Sequence, residues 1–221
     1  MDAFVHLHVA SGYSMQYGAS TPAALVQRAA ASGQPALALT DRDGLYGAVR
    51  FVQACTEAGI DPILGVDLAV RHDAVGGRPR AGRARTPARG GAAVDPRLPR
   101  VTVLARGRRA GLAPGAGWAR LCRLVTRTHL SGTRGEPVTT PELIGELATS
   151  PEQGSSPLVV LLGPDSDVGR AVLARHPARA RAALARWQQL LPRDGVPTEG
   201  VCHSGQVSTP ASLGHGAQLL R

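Results

Sequence analysis

Lysine and asparagine are missing from the 221 residues, so all 25 basic positions are arginine, and they stand against 16 acidic ones. The net charge of +9 invites a nucleic-acid partner, since clustered arginines neutralise phosphates and release counterions. The bias toward Ala, Gly, Pro and Arg is, however, what a GC-rich coding sequence gives whatever the function. The charge is therefore compatible with DNA and weak as evidence for it. Cysteine is scarce: Cys55, Cys122 and Cys202 are odd in number and far apart, which excludes a disulfide framework and a CxxC zinc site. They read as buried structural thiols in a reducing compartment. No apolar run approaches membrane-spanning length, and the N-terminus has neither a basic region nor an apolar core of the secretory kind. A cytoplasmic protein with no membrane partner is expected. The motifs G-x-x-x-x-G-K-[ST], G-x-G-x-x-G after a strand, G-x-S-x-G and H-E-x-x-H are all absent. Nucleotide binding, serine hydrolysis and the HExxH zinc-protease chemistry thus lack their usual signatures.

The chain is long enough for one substantial core, and apolar runs alternate with helical patterns. Thr21-Pro22 opens a helix that stops at Gly33, and a strand follows at 36–39. Ala48, Phe51, Val52 and Cys55 line one helical face ended by Gly59, before a strand at 63–70. Val101–Ala105 and Leu158–Leu162 read as further strands. Helices are expected around Trp118, Leu121, Leu124 and Val125, after Thr140-Pro141, and through Leu184, Trp187, Leu190 and Leu191. A last strand near 198–203 and a helix from Thr209-Pro210 complete the pattern. This order predicts an α/β fold with parallel strands able to close into a barrel, with chemistry gathered at the C-terminal strand ends. Residues 76–97 are dense in Arg, Gly and Pro without apolar periodicity and read as a disordered loop insertion, solvated in the absence of interleaved aromatics.

Three segments carry the functional signal. Phe4-Val5-His6-Leu7-His8-Val9 reads as a strand with histidines at i and i+2, which period-2 geometry places on one face. Leu39-Thr40-Asp41-Arg42-Asp43-Gly44-Leu45-Tyr46-Gly47-Ala48-Val49 and Ala58-Gly59-Ile60-Asp61-Pro62-Ile63-Leu64-Gly65-Val66-Asp67 each contain an apolar strand ending in a carboxylate. In this order, and with Gly117–Thr126 and Val201-Cys202-His203 behind them, they resemble the PHP (polymerase and histidinol phosphatase) domain. More narrowly, the chain is similar to the N-terminal PHP domain of bacterial C-family DNA polymerases, the DNA polymerase III and error-prone alpha subunits.

The resemblance implies a distorted (β/α) barrel spanning 1–221, and a site in which histidines and carboxylates hold zinc, manganese or magnesium to activate water. Residue by residue, it implies metal ligation at His6, His8, Asp41 and Asp67, where Asp67 replaces a usual glutamate, and at His203. It also exposes departures. Arg42 stands where a ligand histidine is usual, Arg100 at a position often histidine, and Tyr17 at one often aspartate. A guanidinium offers a metal no lone pair and does not lose its charge. Arg42 is therefore expected to pair with Asp41 or Asp67 and to leave a degenerate site that binds no metal tightly. A reduced one-metal site through His6, His8 and a carboxylate is the alternative. His129 is read as a surface or cap histidine with a ligand role as the less favoured option, and His72, His176 and His215 are given no role. The chain ends before the strand that brings a last Asp-x-His pair in relatives, so a fragment with an open barrel edge is expected. The implied function is that of the PHP platform of an error-prone polymerase, in replication and damage-tolerant repair synthesis. The rest of the alpha subunit would be its partner and DNA would be reached through it, with no polymerase activity in this stretch. A free-standing PHP phosphoesterase, either histidinol-phosphatase-like or exonucleolytic, is the enzyme alternative.

Overall fold

A computed structural model of the chain describes residues 4–71, 98–107, 112–131, 135–149 and 156–191. His72, the 76–97 insertion, Cys202, His203, His215 and the last strand and helix expected after residue 198 lie outside the described residues.

Helix α1 (Pro22–Ala31) begins as the sequence predicts: the Thr21 side chain accepts a hydrogen bond from the Ala24 N–H, and Pro22 fills the first turn, where a missing N–H costs nothing. Strand β1 (Ala36–Arg42) leads through a tight turn into α2 (Ala48–Ala58), which Gly59 ends at φ 67°, a left-handed conformation open to glycine. Strand β2 (Asp61–Ala69) runs parallel to β1, in register from Ala36 opposite Asp61 to Arg42 opposite Asp67. Strand β3 (Arg100–Ala105), helices α3 (Ala116–Ser131) and α4 (Pro141–Ala148), strand β4 (Leu158–Leu161), and helices α5 (Asp167–Leu173) and α6 (Pro177–Leu190) follow. Sequence periodicity misses α5. It buries only Ala171, and its legible signal is the Ser166 cap, whose hydroxyl accepts from the Gly169 N–H.

The α/β class is as expected, but the strand directions are not. The four-stranded sheet has the order β1-β2-β3-β4, and both β2–β3 and β3–β4 are antiparallel. Among the described residues the sheet is open. Strict alternation divides it into two faces. Leu37 and Leu39 of β1, Val66 and Leu68 of β2, Val101 and Val103 of β3 and Val160 of β4 pack against the helices. Phe51 and Val26 fill the α1–α2 side of this core, and Leu121, Ile144, Leu147 and Trp187 the α3–α4–α6 side. The other face carries Ala38, Leu104 and Val159 under Leu7 of the N-terminal segment. It also carries Thr40, Arg42, Asp67, Arg100 and Thr102, which makes it the polar face.

Residues 4–10 lie along β1 without forming a regular strand. The Ala38 N–H donates to the His6 carbonyl and the Thr40 N–H to that of Val9, so three steps on one side match two on the other. That single extra residue is a bulge, and a bulge reverses the alternation beyond it. Leu7 and His8 consequently both meet the polar face of the sheet, while Val9 joins the helix side.

Candidate functional site

The polar face converges where β1 and β2 end. Because β3 is antiparallel to β2, its first residue falls at that same end, and Arg100 stands opposite Ala69 while Thr102 stands opposite Asp67. Arg100 is 5% exposed. Its Nε donates to Asp67 Oδ2 at 2.7 Å, and one terminal nitrogen donates both to Asp43 Oδ1 at 2.8 Å and to the Asp67 carbonyl at 2.7 Å. Burial opposes the charge on this guanidinium, but Asp67 and Asp43 together outweigh it and push its pKa above the ordinary arginine value. Asp43 reaches the clamp because it adopts a left-handed backbone, φ 57°, which aspartate tolerates better than most residues. Its N–H donates to the Asp67 carbonyl at 2.9 Å. Its own carbonyl is 2.5 Å from His129 Nε2, so His129 tethers the turn by donating from that nitrogen.

Arg42 is held differently. Its guanidinium carbon lies over the Tyr17 ring, 3.6 Å from the centroid, and its Nε is 3.8 Å from Asp67 Oδ2, an oxygen already bonded to Arg100. Nε makes no hydrogen bond. Burial, and next the neighbouring Arg100 charge, lower the Arg42 pKa from its ordinary value, against the opposing pull of Asp67, Tyr17 and Asp43. The expected ion pair to Asp67 thus forms, but as a long secondary contact. The principal partner of Asp67 is Arg100.

Asp41 turns away from this group. By register it lies opposite Val66, on the helix side, and it is 2% exposed. The Ser11 N–H at 2.7 Å, the Ser11 hydroxyl at 2.8 and 3.0 Å and the Ser14 hydroxyl at 2.6 Å all donate to its carboxylate. The Ser14 oxygen in turn accepts from the Arg42 N–H at 2.9 Å. The 11–18 loop can wrap this tightly because residue 18 is glycine: a methyl group there would stand 2.1 Å from the Ser11 carbonyl oxygen.

Of the two histidines, His8 reaches the polar face, its Nδ1 2.7 Å from Thr102 Oγ1. His6 does not share that face. Its ring is exposed and meets Phe4 edge-on, with centroids 4.6 Å apart. The structure therefore brings together His8, Arg42, Asp67 and Arg100, adds Asp43 and His129, and leaves His6 and Asp41 apart from them. Among the described residues no three His, Cys, Asp or Glu side chains meet in a cation-binding arrangement. Among the described residues the donors as placed do not fit a metal cluster: Asp67 and Asp43 are engaged by a fixed cation, and both Asp41 oxygens are taken by serine donors. Cys55 is buried and its thiol is pushed up to about 12 by burial and then by Asp61; burial also raises the Cys122 thiol. In both, burial disfavours the thiolate. His176 caps α6 without a side-chain bond, apart from this site.

Among the described residues the chain is thus an α/β domain with an open, helix-covered mixed sheet and a polar site at its strand ends. Residues 6–199 match the PHP domain family, and the chain belongs to it. The error-prone DNA polymerase of Mycobacterium tuberculosis is 40% identical over 136 residues, which cover 61% of this chain and 10% of that protein. The alpha subunit of DNA polymerase III from Escherichia coli is 33% identical over 190 residues, covering 86% of this chain and 14% of that protein. The chain thus spans about a tenth of the length of the curated relatives it matches. Among solved structures, an amidohydrolase from Chromobacterium violaceum aligns over 83% of this chain and 54% of its own, at 22% identity and a TM-score of 0.34. No helix among the described residues is long and apolar enough to cross a membrane.

Proposed function

We propose that this chain serves as the N-terminal PHP domain of an error-prone-type polymerase alpha subunit, a cytoplasmic platform for the polymerase core in replication and damage-tolerant repair synthesis. In this reading its metal site is degenerate and it carries no polymerase activity of its own. The remainder of the alpha subunit is its partner, and DNA is reached through that subunit. The identity to the named polymerases supports the assignment. The observation that supports a degenerate site is the Arg100 guanidinium bonded to Asp67, one of the ligands the resemblance implies, and to Asp43, so that both carboxylates already face a fixed cation.

In place of catalysis, the arrangement performs a structural task. The clamp ties the ends of β2 and β3 to the turn after β1, and the Asp41–serine cluster ties that turn to the N-terminal loop. Water activation requires a cation with an open coordination position, or a base positioned beside the phosphorus. A fixed guanidinium supplies neither. The purified chain is expected to leave single-stranded DNA ends and small phosphomonoesters unhydrolysed, at background rate, with manganese, zinc or magnesium present. Hydrolysis that a chelator abolishes would reverse the reading in favour of a metal-dependent phosphoesterase.

A further inference from the structure

The corner between α5 and α6 is exposed at every residue from Val172 to Arg179. It is closed tightly: the Arg175 N–H donates to the Val172 carbonyl and the His176 N–H to that of Ala171, both at 2.9 Å. The two helices then lie side by side in opposite directions, because Asp167 at the start of α5 meets residues late in α6. Trp187 Nε1 donates to Asp167 Oδ1 at 3.0 Å, and an Arg186 terminal nitrogen is 3.5 Å from Asp167 Oδ2. Arg179 stands two turns before Arg186 on the same side of α6, and therefore beside the end of α5. Arg181, beyond the buried Ala180, is turned to the opposite flank. One surface accordingly holds Val172, 55% exposed, and Leu173, 71% exposed, together with Arg175 and Arg179. An open hollow of about 410 Å³ adjoins them, lined by His176, Pro177, Ala178 and Arg179.

Two features of this corner run against local preference. Arg175 adopts a left-handed backbone, φ 56°, which glycine or asparagine would take at less cost. Val172 and Leu173 leave branched apolar side chains in water on a helix that buries only Ala171. Departures of this kind collect where a surface is used. Charge then selects what uses it. From Val168 to Leu191 the chain has five arginines and no carboxylate. Arg170 donates to the Leu98 carbonyl and Arg186 pairs with Asp167, whereas Arg175 and Arg179 pair with no carboxylate among the described residues. We propose that the α5–α6 corner docks an acidic segment of a partner protein that also bears apolar side chains. Its carboxylates meet Arg175 and Arg179, and its apolar side chains cover Val172 and Leu173. A nucleic acid would use the arginines alone: it would leave the two apolar side chains in water, and the corner from 172 to 179 offers no ring for a base to stack on. The inference goes beyond the platform reading and does not depend on it.

Fluorescence anisotropy of the full chain with a labelled amphipathic peptide of about 16 residues, built of Glu and Leu at helical spacing, tests this directly. Polyglutamate of equal length and a short DNA duplex are the other arms. The Glu–Leu peptide is expected to bind more tightly than polyglutamate. Leu173→Ser, at an exposed position whose change leaves the core intact, is expected to weaken the peptide at least about fivefold and to leave polyglutamate unaffected. Arg179→Glu is expected to weaken the peptide about tenfold, because it sets like charges against each other. Arg181→Glu makes the same change of charge on the opposite flank of α6, and is expected to weaken it less than about twofold. The proposal is overturned if the peptide does not bind, or if Arg181→Glu weakens it as much as Arg179→Glu does. It is equally overturned if Leu173→Ser, melting as the parent does, binds the peptide with parental affinity. A duplex that binds more tightly than the peptide and loses that affinity in Arg179→Glu would assign the corner to nucleic acid, and would overturn the proposal as well.

Discussion

Replacing Arg100 with methionine is expected to lower the free energy of unfolding by about 3–5 kcal/mol, the usual cost of removing one member of a buried ion pair. Arg100 makes two bonds to carboxylates and one to a carbonyl, all at a strand end where water has little access. Without it Asp43 loses its bonded cation, Asp67 keeps only the long contact to Arg42, and the Asp67 carbonyl loses one of its donors. The loss belongs to the unpaired charges and not to the attraction alone, since a buried pair often does little better than an apolar replacement of equal volume. Arg100→Met combined with Asp67→Leu should therefore recover part of the deficit. Urea titration of the parent and both variants at one pH measures this. A single-variant deficit below about 1 kcal/mol would mean that the clamp does not hold the strand ends.

Asp41→Ala should cost about 3 kcal/mol or more, because a buried carboxylate with several donors contributes through charge-assisted bonds and its removal strands their partners. Here the partners are the Ser11 N–H and two serine hydroxyls, all in a loop closed by the Gly12 N–H to Ser20 carbonyl bond at 2.7 Å. Ser11→Ala and Ser14→Ala, which leave other donors on Asp41, should each cost about 1 kcal/mol. Native-state hydrogen exchange provides the second readout. Protection of the Ser11 and Arg42 amides should fall in Asp41→Ala while the β2 and β3 core amides keep theirs relative to the global stability. Unchanged protection at those two amides would show that the loop is held by other contacts.

Much of this architecture is legible in the residues themselves. Helix caps at Thr21 and Thr140, the left-handed stop at Gly59 and the apolar faces of α2, α3 and α6 are local features, and local features survive folding. The PHP motifs are likewise contiguous. What the sequence conceals depends on register and direction. A crossover long enough to hold the 72–97 segment says nothing of whether β3 returns parallel or antiparallel, yet that direction is what delivers Arg100 to Asp67. One extra residue between His6 and Val9 separates two histidines that period-2 geometry had placed together. Asp41 and Asp67 both end apolar runs, but the register of β1 on β2 pairs Asp67 with Arg42, one residue beyond Asp41, and so sends the two carboxylates to opposite faces. Asp43 was readable only in part. An Asp-Gly pair signals a turn, and aspartate accepts the left-handed backbone, but its partner Arg100 lies 57 residues away.

Thermal unfolding of the full chain in the presence of a chelator, and again with excess zinc or manganese, tests most directly whether a guanidinium has taken the place of metal. Ligands that bind only the folded state raise stability by mass action, about 2.7 kcal/mol at a hundred times Kd, which for a domain of this size is several degrees in Tm. The account predicts coincident melting curves in all conditions and less than one equivalent of metal retained by elemental analysis. A melting temperature several degrees higher with metal, together with one or more tightly held ions, would contradict it.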